Sequence, residues 1–202
     1  MSEKKTIVLA SNNSGKAKEI NALLEGSNFN VISQSEFNVE EVEETGLTFI
    51  ENALIKARNA AKYTEHPVIA DDSGIEVPAL KGRPGIYSAR YAGASNGATA
   101  SDEDNLNKLI EDIKPLSEED RVARFVCVMV YLKHAEDPTP IIAEGFWNGV
   151  VITEPRGENG FGYDPMFYVP THDCVSAELS PEIKNKLSHR GLALQQLLEK
   201  IS

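Results

Sequence analysis

A short polar turn after the apolar run Thr6–Ala10 contains residues that suit an anion. It reads SNNSGK, from Ser11 to Lys16. The start of a helix presents unbonded backbone N–H groups and a partial positive charge, so such a turn attracts phosphate. A nucleotide P-loop is excluded, because that motif needs Gly in place of Ala10 and Ser or Thr in place of Ala17. A surface helix capped by Ser14 is the alternative.

Two adjacent acids, Asp71 and Asp72, end the apolar run of PVIADDSGIEV. The sequence predicts a strand that runs into a turn at Asp71–Gly74, and α/β sheets bind ligands at such strand ends. One aspartate there suits Mg²⁺, while an Asx-turn pair is the alternative. A metal site needs a second carboxylate from a separate segment, and Glu44 of EEVEETG is the candidate. A solvated acidic loop explains most other acids of that segment.

Lys56 follows Asn52 by one helical turn in LTFIENALIKARNAAKYT. The apolar residues of this segment form one wide stripe, and both polar side chains lie on another face. We therefore expect Asn52 and Lys56 to project towards the same place. An ordinary exposed lysine is the alternative.

Two further motifs suit recognition of a base. GFGYDP, at residues 160–165, combines two aromatic rings and an acid on a glycine-hinged turn. These groups suit stacking on a base and hydrogen bonding to its edge, although a turn that anchors the core is equally consistent. SHRG, at residues 188–191, places His189 and Arg190 at the start of the last predicted helix.

The elements that position these residues alternate between strands and helices. A strand over TIVLA leads into a helix over GKAKEINALLEG, and a short strand near Val31 precedes the helix that carries Lys56. SDEDNLNKLIEDI predicts a helix with a Ser or Asp cap. RVARFVCVMVYLKH and PIIAEGFWNGVVIT predict two long strands that are antiparallel neighbours. The sequence therefore predicts a mixed α/β fold.

Composition narrows the class of protein. The chain has 202 residues, 41% of them hydrophobic, which suits a single domain over residues 1–202. A formal net charge of -11 argues against stable nucleic-acid binding. Two cysteines give no disulfide framework, and no segment is typical of a signal peptide or a transmembrane span. We expect a cytoplasmic protein that does not bind membranes.

Six separated motifs, taken in order, resemble the inosine triphosphate pyrophosphatase family. They are ASNNSGK, EETGLTFIENALIKAR, IADDSGIEV, GRPGIYSARYAG, GFGYDP and LSHRGLAL. The resemblance runs from about Thr6 to the final helix. It implies an elongated mixed sheet flanked by helices, with two lobes and a central cleft, in a homodimer. It also implies Mg²⁺-dependent hydrolysis of noncanonical purine nucleoside triphosphates (ITP, dITP, XTP) to monophosphate and pyrophosphate.

The resemblance also implies a role for each matching residue. Asp72 would be the metal-linked catalytic base, with Glu44 as the second metal ligand and Asp71 as a supporting acid. Lys56 would assist catalysis, and Ser73 would contact substrate. The phosphate loop would comprise Ser11, Asn12, Asn13, Ser14, Gly15 and Lys16, and the base pocket Phe161, Gly162, Tyr163, Asp164, Lys184, His189 and Arg190. An Arg190 donor aimed at a 6-oxo group would meet the amino group of adenine donor to donor.

One departure from the family pattern lies in the phosphate loop. The family commonly has Thr-Gly-Asn where this chain has Ser11, Asn12 and Asn13. Serine keeps the hydroxyl, and Asn tolerates a positive φ, so we expect the loop to be retained. Two rival functions are a pyrophosphatase for modified pyrimidine or other nucleotides, and a nucleotide-sensing module without turnover.

Overall fold

The computed structural model describes residues 4–93 and 100–201, and a seven-stranded mixed sheet forms its centre. The strands are β1 (Lys5–Leu9), β2 (Phe29–Ser33), β3 (Val68–Glu76), β4 (Val122–Leu132), β5 (Ile141–Val151), β6 (Phe167–Val169) and β7 (Cys174–Val175). The helices are α1 (Ser14–Leu24), α2 (Phe49–Ala60), α3 (Asp102–Ile113), α4 (Pro181–Leu187) and α5 (His189–Ile201).

The order of the strands is β2-β1-β3-β4-β5-β6-β7. Strand β1 is parallel to both β2 and β3, whereas β6 is antiparallel to both β5 and β7. Strands β4 and β5 are hydrogen-bonded neighbours, as the sequence predicts. The predicted mixed α/β class is therefore confirmed.

The chain divides into two compact units, and the first is a layered α/β structure. It comprises the chain up to Asp72, residues 127–145 and the chain from Arg190 onwards. Successive side chains of β1 point to opposite faces of the sheet, so this strand contributes to two hydrophobic cores. One contains Ile7, Leu9, Ile20, Leu24, Leu194 and Leu197, from β1, α1 and α5; the other contains Val8, Ala10, Ala53, Ala57 and Ala60, from β1 and its C-terminal flank and α2.

The second unit comprises residues 73–126 and 146–189. Helix α3 buries Leu109, Ile110 and Ile113 in a single core. Aromatic rings fill the centre of that core. The ring centroid of Phe167 lies 4.6 Å from that of Phe125 and 5.0 Å from that of Trp147.

None of the helices within the two described ranges is long and apolar enough to pass through a membrane. The single-domain expectation for residues 1–202 stays a prediction.

Candidate active site

Asn13 caps the N-terminus of α1. The Asn13 side chain accepts a hydrogen bond from the backbone N–H of Lys16 at 2.9 Å, so Asn13 is the N-cap. The sequence alternative of a Ser14 cap is wrong, because Ser14 is already the first helical residue. Ser11 Oγ accepts from the backbone N–H of Asn13 at 3.3 Å.

Asn12 is held in this turn by its side chain and not by the positive φ that the sequence suggested. Its backbone does not adopt a positive φ, and neither does that of Asn13. Instead, the Asn12 side chain donates to Glu41 Oε1 at 2.8 Å and accepts from Gln34. Two side-chain hydrogen bonds therefore hold the residue that stands in place of the family's glycine.

Asp71 and Asp72 lie within β3, which continues to Glu76. The predicted turn at Asp71–Gly74 is therefore wrong. The segment has turn-forming residues, but it stays extended because it pairs with β1 and β4 in the sheet. Pairing with neighbouring strands often outweighs the local conformational preference of a segment. Because successive side chains of a strand point to opposite faces, the two adjacent carboxylates have different partners.

Asp72 is held by two side chains of α2. Asn52 Nδ2 donates to Asp72 Oδ2 at 3.2 Å, and Lys56 Nζ lies 3.3 Å from Asp72 Oδ1. Lys56 Nζ also lies 2.8 Å from Glu44 Oε1. The prediction that Asn52 and Lys56 project towards the same place is confirmed, and one ammonium group joins the two predicted metal ligands.

Asn52 is oriented by a close approach of the backbone. It is fully buried, and its Oδ1 accepts from the N–H of Gly46 at 2.9 Å. A Cβ atom on Gly46 would lie 2.7 Å from that oxygen and 2.5 Å from the Cβ of Glu51. Gly46 therefore allows the contact that fixes Asn52, and Asn52 in turn fixes Asp72.

Asp71 has its own direct charged contacts. Its Oδ2 lies 3.1 Å from Lys16 Nζ and 3.6 Å from Arg190 Nε. Arg190 Nη1 also donates to the carboxylate of Glu19. Asp71 and Arg190 are only 1% and 2% exposed, so these charges depend on one another.

These surroundings move the pKa values of the two aspartates in opposite directions. Burial favours the neutral acid, but Lys16, Arg190 and Lys56 outweigh it and hold the pKa of Asp71 well below its ordinary value. Burial raises the pKa of Asp72, against the opposing effect of Lys56 and Lys16. For Lys56, burial is outweighed by Asp72, Asp71 and Glu44, which raise its pKa. One permanent anion beside one more basic carboxylate is an arrangement suited to acid–base chemistry.

Glu44 and Asp72 fit a divalent cation that binds oxygen. Both carboxylates already contact one cationic group, Lys56 Nζ. Within the described ranges, no three His, Cys, Asp or Glu side chains cluster closely enough to hold a metal by themselves. This donor set matches Mg²⁺, which commonly takes one or two carboxylates and completes its shell with water and substrate phosphate.

A second group of predicted site residues surrounds Asp164 in the other unit. Asp164 Oδ2 accepts from Lys184 Nζ at 2.7 Å and from the backbone N–H of Phe161 at 2.8 Å. Asp164 Oδ1 accepts from Ser176 Oγ at 2.7 Å. Lys184 Nζ lies 5.2 Å from the ring centroid of Phe161. The structure thus brings Phe161, Asp164 and Lys184 together.

Three other residues of the predicted base pocket have structural partners. Tyr163 is buried, and its hydroxyl donates to the carbonyl of Ser88 at 2.7 Å. His189 is buried, and its ring stacks on Phe125 with centroids 4.6 Å apart. The N–H of Gly162 donates to Asp102 Oδ2 at 3.0 Å. The core-anchoring alternative for GFGYDP therefore describes Tyr163.

The remaining site residue, Ser73, follows Asp72 in β3 and is partly exposed. Sequence reasoning found Asn52 on the face of Lys56 but missed its hydrogen bond with Gly46, and it missed two supporting residues, Glu19 and Ser176. Glu19 and Ser176 carry no local signal, because their partners lie far away in the sequence or on a separate loop.

Comparison with known proteins decides the family. The model of the Ham1 family matches residues 7–200. The chain belongs to the Ham1 family. A relative from Vibrio cholerae serotype O1, named dITP/XTP pyrophosphatase, is 57% identical over 197 residues, which cover 98% of this chain and 96% of that protein. The protein of that name from Shigella flexneri is 53% identical over 193 residues and covers 96% of both chains.

Solved structures of Ham1 proteins share the fold. The Ham1 protein of Coxiella burnetii superposes with a TM-score of 0.88 at 48% identity, covering 98% of both chains. That of Staphylococcus aureus gives a TM-score of 0.81 at 46% identity, covering 98% of this chain and all of the other. The family resemblance that the six sequence motifs indicated is therefore confirmed.

Proposed function

We infer that this chain is a nucleoside triphosphate pyrophosphatase that hydrolyses noncanonical purine nucleotides such as ITP, dITP and XTP to monophosphate and pyrophosphate. The observation that carries this inference is the pair of adjacent aspartates, of which Asp71 contacts Lys16 and Asp72 contacts Lys56. The two Ham1 relatives described above are named dITP/XTP pyrophosphatase, which supports this substrate class.

The phosphate groups would bind at the start of α1. Residues 11–16 supply backbone N–H groups at a helix N-terminus, and Lys16 and Lys56 supply two cations. The Lys16 ammonium forms an ion pair with Asp71 at 3.1 Å. A lysine held in this way needs little reordering when it meets the charge of the departing pyrophosphate.

Asp72 is the general base of the proposed mechanism. It would take a proton from the attacking water. Asn52 and Lys56 fix both of its oxygens, so the carboxylate is oriented before substrate binds. Asp71 remains ionised and maintains the surrounding positive groups, and Ser73 contacts substrate.

Glu44 and Asp72, which both contact Lys56, would hold Mg²⁺. The bound ion would neutralise negative charge on the triphosphate. This assignment of the metal rests on the oxygen donors described above.

Recognition of the base is assigned to Arg190 in the first unit and, in the second unit, to Phe161, Gly162, Tyr163, Asp164, Lys184 and His189. Glu19 and Asp71 hold the Arg190 guanidinium, so a hydrogen bond from it to a 6-oxo group requires little ordering. Adenine presents an amino donor at that position. A site built around such a hydrogen bond discriminates by about 10⁴-fold against a base that cannot accept it.

The rival functions find less support. A sensing module has no need for the paired acids Glu44 and Asp72, and the named relatives act on purine nucleotides. The homodimer, the cytoplasmic location and the lack of nucleic-acid binding remain predictions from sequence.

A panel of nucleotides tests the proposal. Initial rates would be measured with Mg²⁺ and, separately, ITP, XTP, GTP, ATP and a modified pyrimidine triphosphate. We expect ITP and XTP to be hydrolysed at least about 10²-fold faster than ATP. Equal use of ATP, or a preference for the pyrimidine, would contradict the proposed selectivity. Binding of ITP without turnover would favour the sensing module.

A further inference from the structure

The carboxylate of Asp164 is enclosed by its own protein partners. Asp164 is 2% exposed. Its Oδ2 accepts from both Lys184 Nζ and the Phe161 N–H, which occupies the two acceptor positions of a carboxylate oxygen. Its Oδ1 accepts from Ser176 Oγ. Three donors from three segments therefore bind the Asp164 carboxylate at 2.7–2.8 Å. This is the carboxylate that the sequence suggested for hydrogen bonding to the edge of a base.

The backbone is also closed over this carboxylate. Gly160 has a φ of 80°, and a Cβ atom on it would lie 2.1 Å from Asp164 Oδ2. Only glycine allows both the positive φ and this close approach. The turn at residues 160–164 is thus wrapped around the carboxylate, and the acid faces into the turn.

Of the groups that Asp164 holds, Phe161 is the more exposed, because Lys184 is itself buried. Phe161 is partly exposed, and the Lys184 ammonium lies over its ring at 5.2 Å from the centroid. An aromatic face and a donor cation are the groups that stacking on a purine and bonding to its oxygen require.

We propose that Asp164 is a positioning residue for purine recognition, which acts through the Phe161 backbone and the Lys184 ammonium and makes no contact with the base. This inference rests on the proposed function and assigns Asp164 a different task from that of a base ligand. It also assigns Ser176 as the residue that holds the second carboxylate oxygen.

The test measures binding of the base and binding of the phosphate groups separately. Dissociation constants for IMP and for pyrophosphate, each with Mg²⁺, would be measured by calorimetry for the wild type and for Asp164→Asn. Loss of charge-assisted hydrogen bonds predicts that IMP binds about 10- to 100-fold more weakly. Pyrophosphate should bind within about 2-fold of wild type, because its groups do not depend on Asp164.

Asp137→Asn is the matched control for a merely structural effect. Asp137 is also 2% exposed and accepts from the backbone N–H groups of Lys133 and Thr139. We expect this variant to lose thermal stability and to keep its IMP affinity. Equal weakening of IMP binding in both variants would overturn the proposal.

A double-mutant cycle with Lys184→Met distinguishes positioning from direct contact. Because Asp164 acts in part through Lys184, the double variant should lose less IMP affinity than the product of the two single losses. Fully multiplied losses would show that Asp164 does not act through Lys184 and would overturn the proposal.

Ser176→Ala keeps the proposal testable if Asp164→Asn does not fold. This variant keeps the ion pair of Asp164 with Lys184, and we expect IMP to bind about 3-fold more weakly because one hydrogen bond is lost. Unchanged IMP affinity would then overturn the proposal. Failure of the proposed function has a different signature, because the wild type would bind IMP no better than AMP, and both inferences would fall.

Discussion

Lys56 joins two carboxylates from different segments: its Nζ lies 2.8 Å from Glu44 Oε1 and 3.3 Å from Asp72 Oδ1. The contact brings the acidic segment before α2 to the middle of β3. The shared ammonium group offsets the repulsion between the two acids, which still contributes to the raised pKa of Asp72. Substitution of Glu44 or Asp72 therefore tests the role of each acid separately.

Asp72→Asn should abolish most turnover while leaving the fold intact. The variant removes the base and a negative metal ligand but changes little volume, so we expect kcat for ITP to fall on the order of 10³-fold. Nucleotide affinity should largely remain. Steady-state kinetics, calorimetry and thermal melting check the three parts, and near-normal kcat would remove Asp72 from its proposed role.

Asn52→Ala should reduce both stability and catalysis. It strips Gly46 and Asp72 of hydrogen bonds inside the protein, at a cost of about 1–3 kcal/mol in the free energy of unfolding. A less ordered Asp72 should also lower kcat on the order of 10-fold or more.

The control for Asn52 is another buried amide, Asn105. It is 2% exposed, accepts from the N–H of Ala92 and donates to the carbonyl of Ala89. Asn105→Ala should lose similar stability in urea denaturation and keep its kcat. A similar fall of kcat in both variants would mean that Asn52 has no specific effect on Asp72.

Glu44→Gln should raise the concentration of Mg²⁺ that gives half-maximal activity. Even outer partners of a metal site contribute about 10- to 100-fold to metal affinity, so loss of a direct ligand should raise this concentration by at least about 10-fold. Glu43→Gln, at an exposed neighbouring position, is the control. Identical Mg²⁺ titrations for the two variants would argue against Glu44 as a ligand.

Arg190→Ala should destabilise the protein strongly. Asp71 and Glu19 would lose their shared cation, and removal of one partner from a buried charge cluster costs about 3–5 kcal/mol. Arg124→Ala is the control, because Arg124 is exposed and its ion pair with Glu76 contributes about 1 kcal/mol or less. If chemical denaturation gives the two variants equal stability, the Arg190 cluster is not held together as described.

The sequence predicted most helices and strands and the two α2 side chains that contact Asp72. Helical spacing alone placed Asn52 and Lys56 on one face of α2, and both do reach Asp72. Apolar runs likewise located β1, α1 and the strand that carries the two aspartates. These features depend on local periodicity, which a sequence displays directly.

The features that sequence reasoning missed depend on distant partners. The run Asp71–Gly74 has turn-forming residues, but pairing within the sheet keeps it extended. Arg190 is bonded to Glu19, 171 positions away in the chain. Asp164 faces into its own turn because Ser176 and Lys184 approach it from later segments. No local pattern reports such contacts.

The products of ITP hydrolysis test the central claim most directly. The wild-type protein and Asp72→Asn would each be incubated with Mg²⁺ and ITP, and the products separated by chromatography. We expect IMP and pyrophosphate in equal amounts from the wild type, and almost no product from the variant. IDP with orthophosphate, or undiminished product from Asp72→Asn, would contradict it.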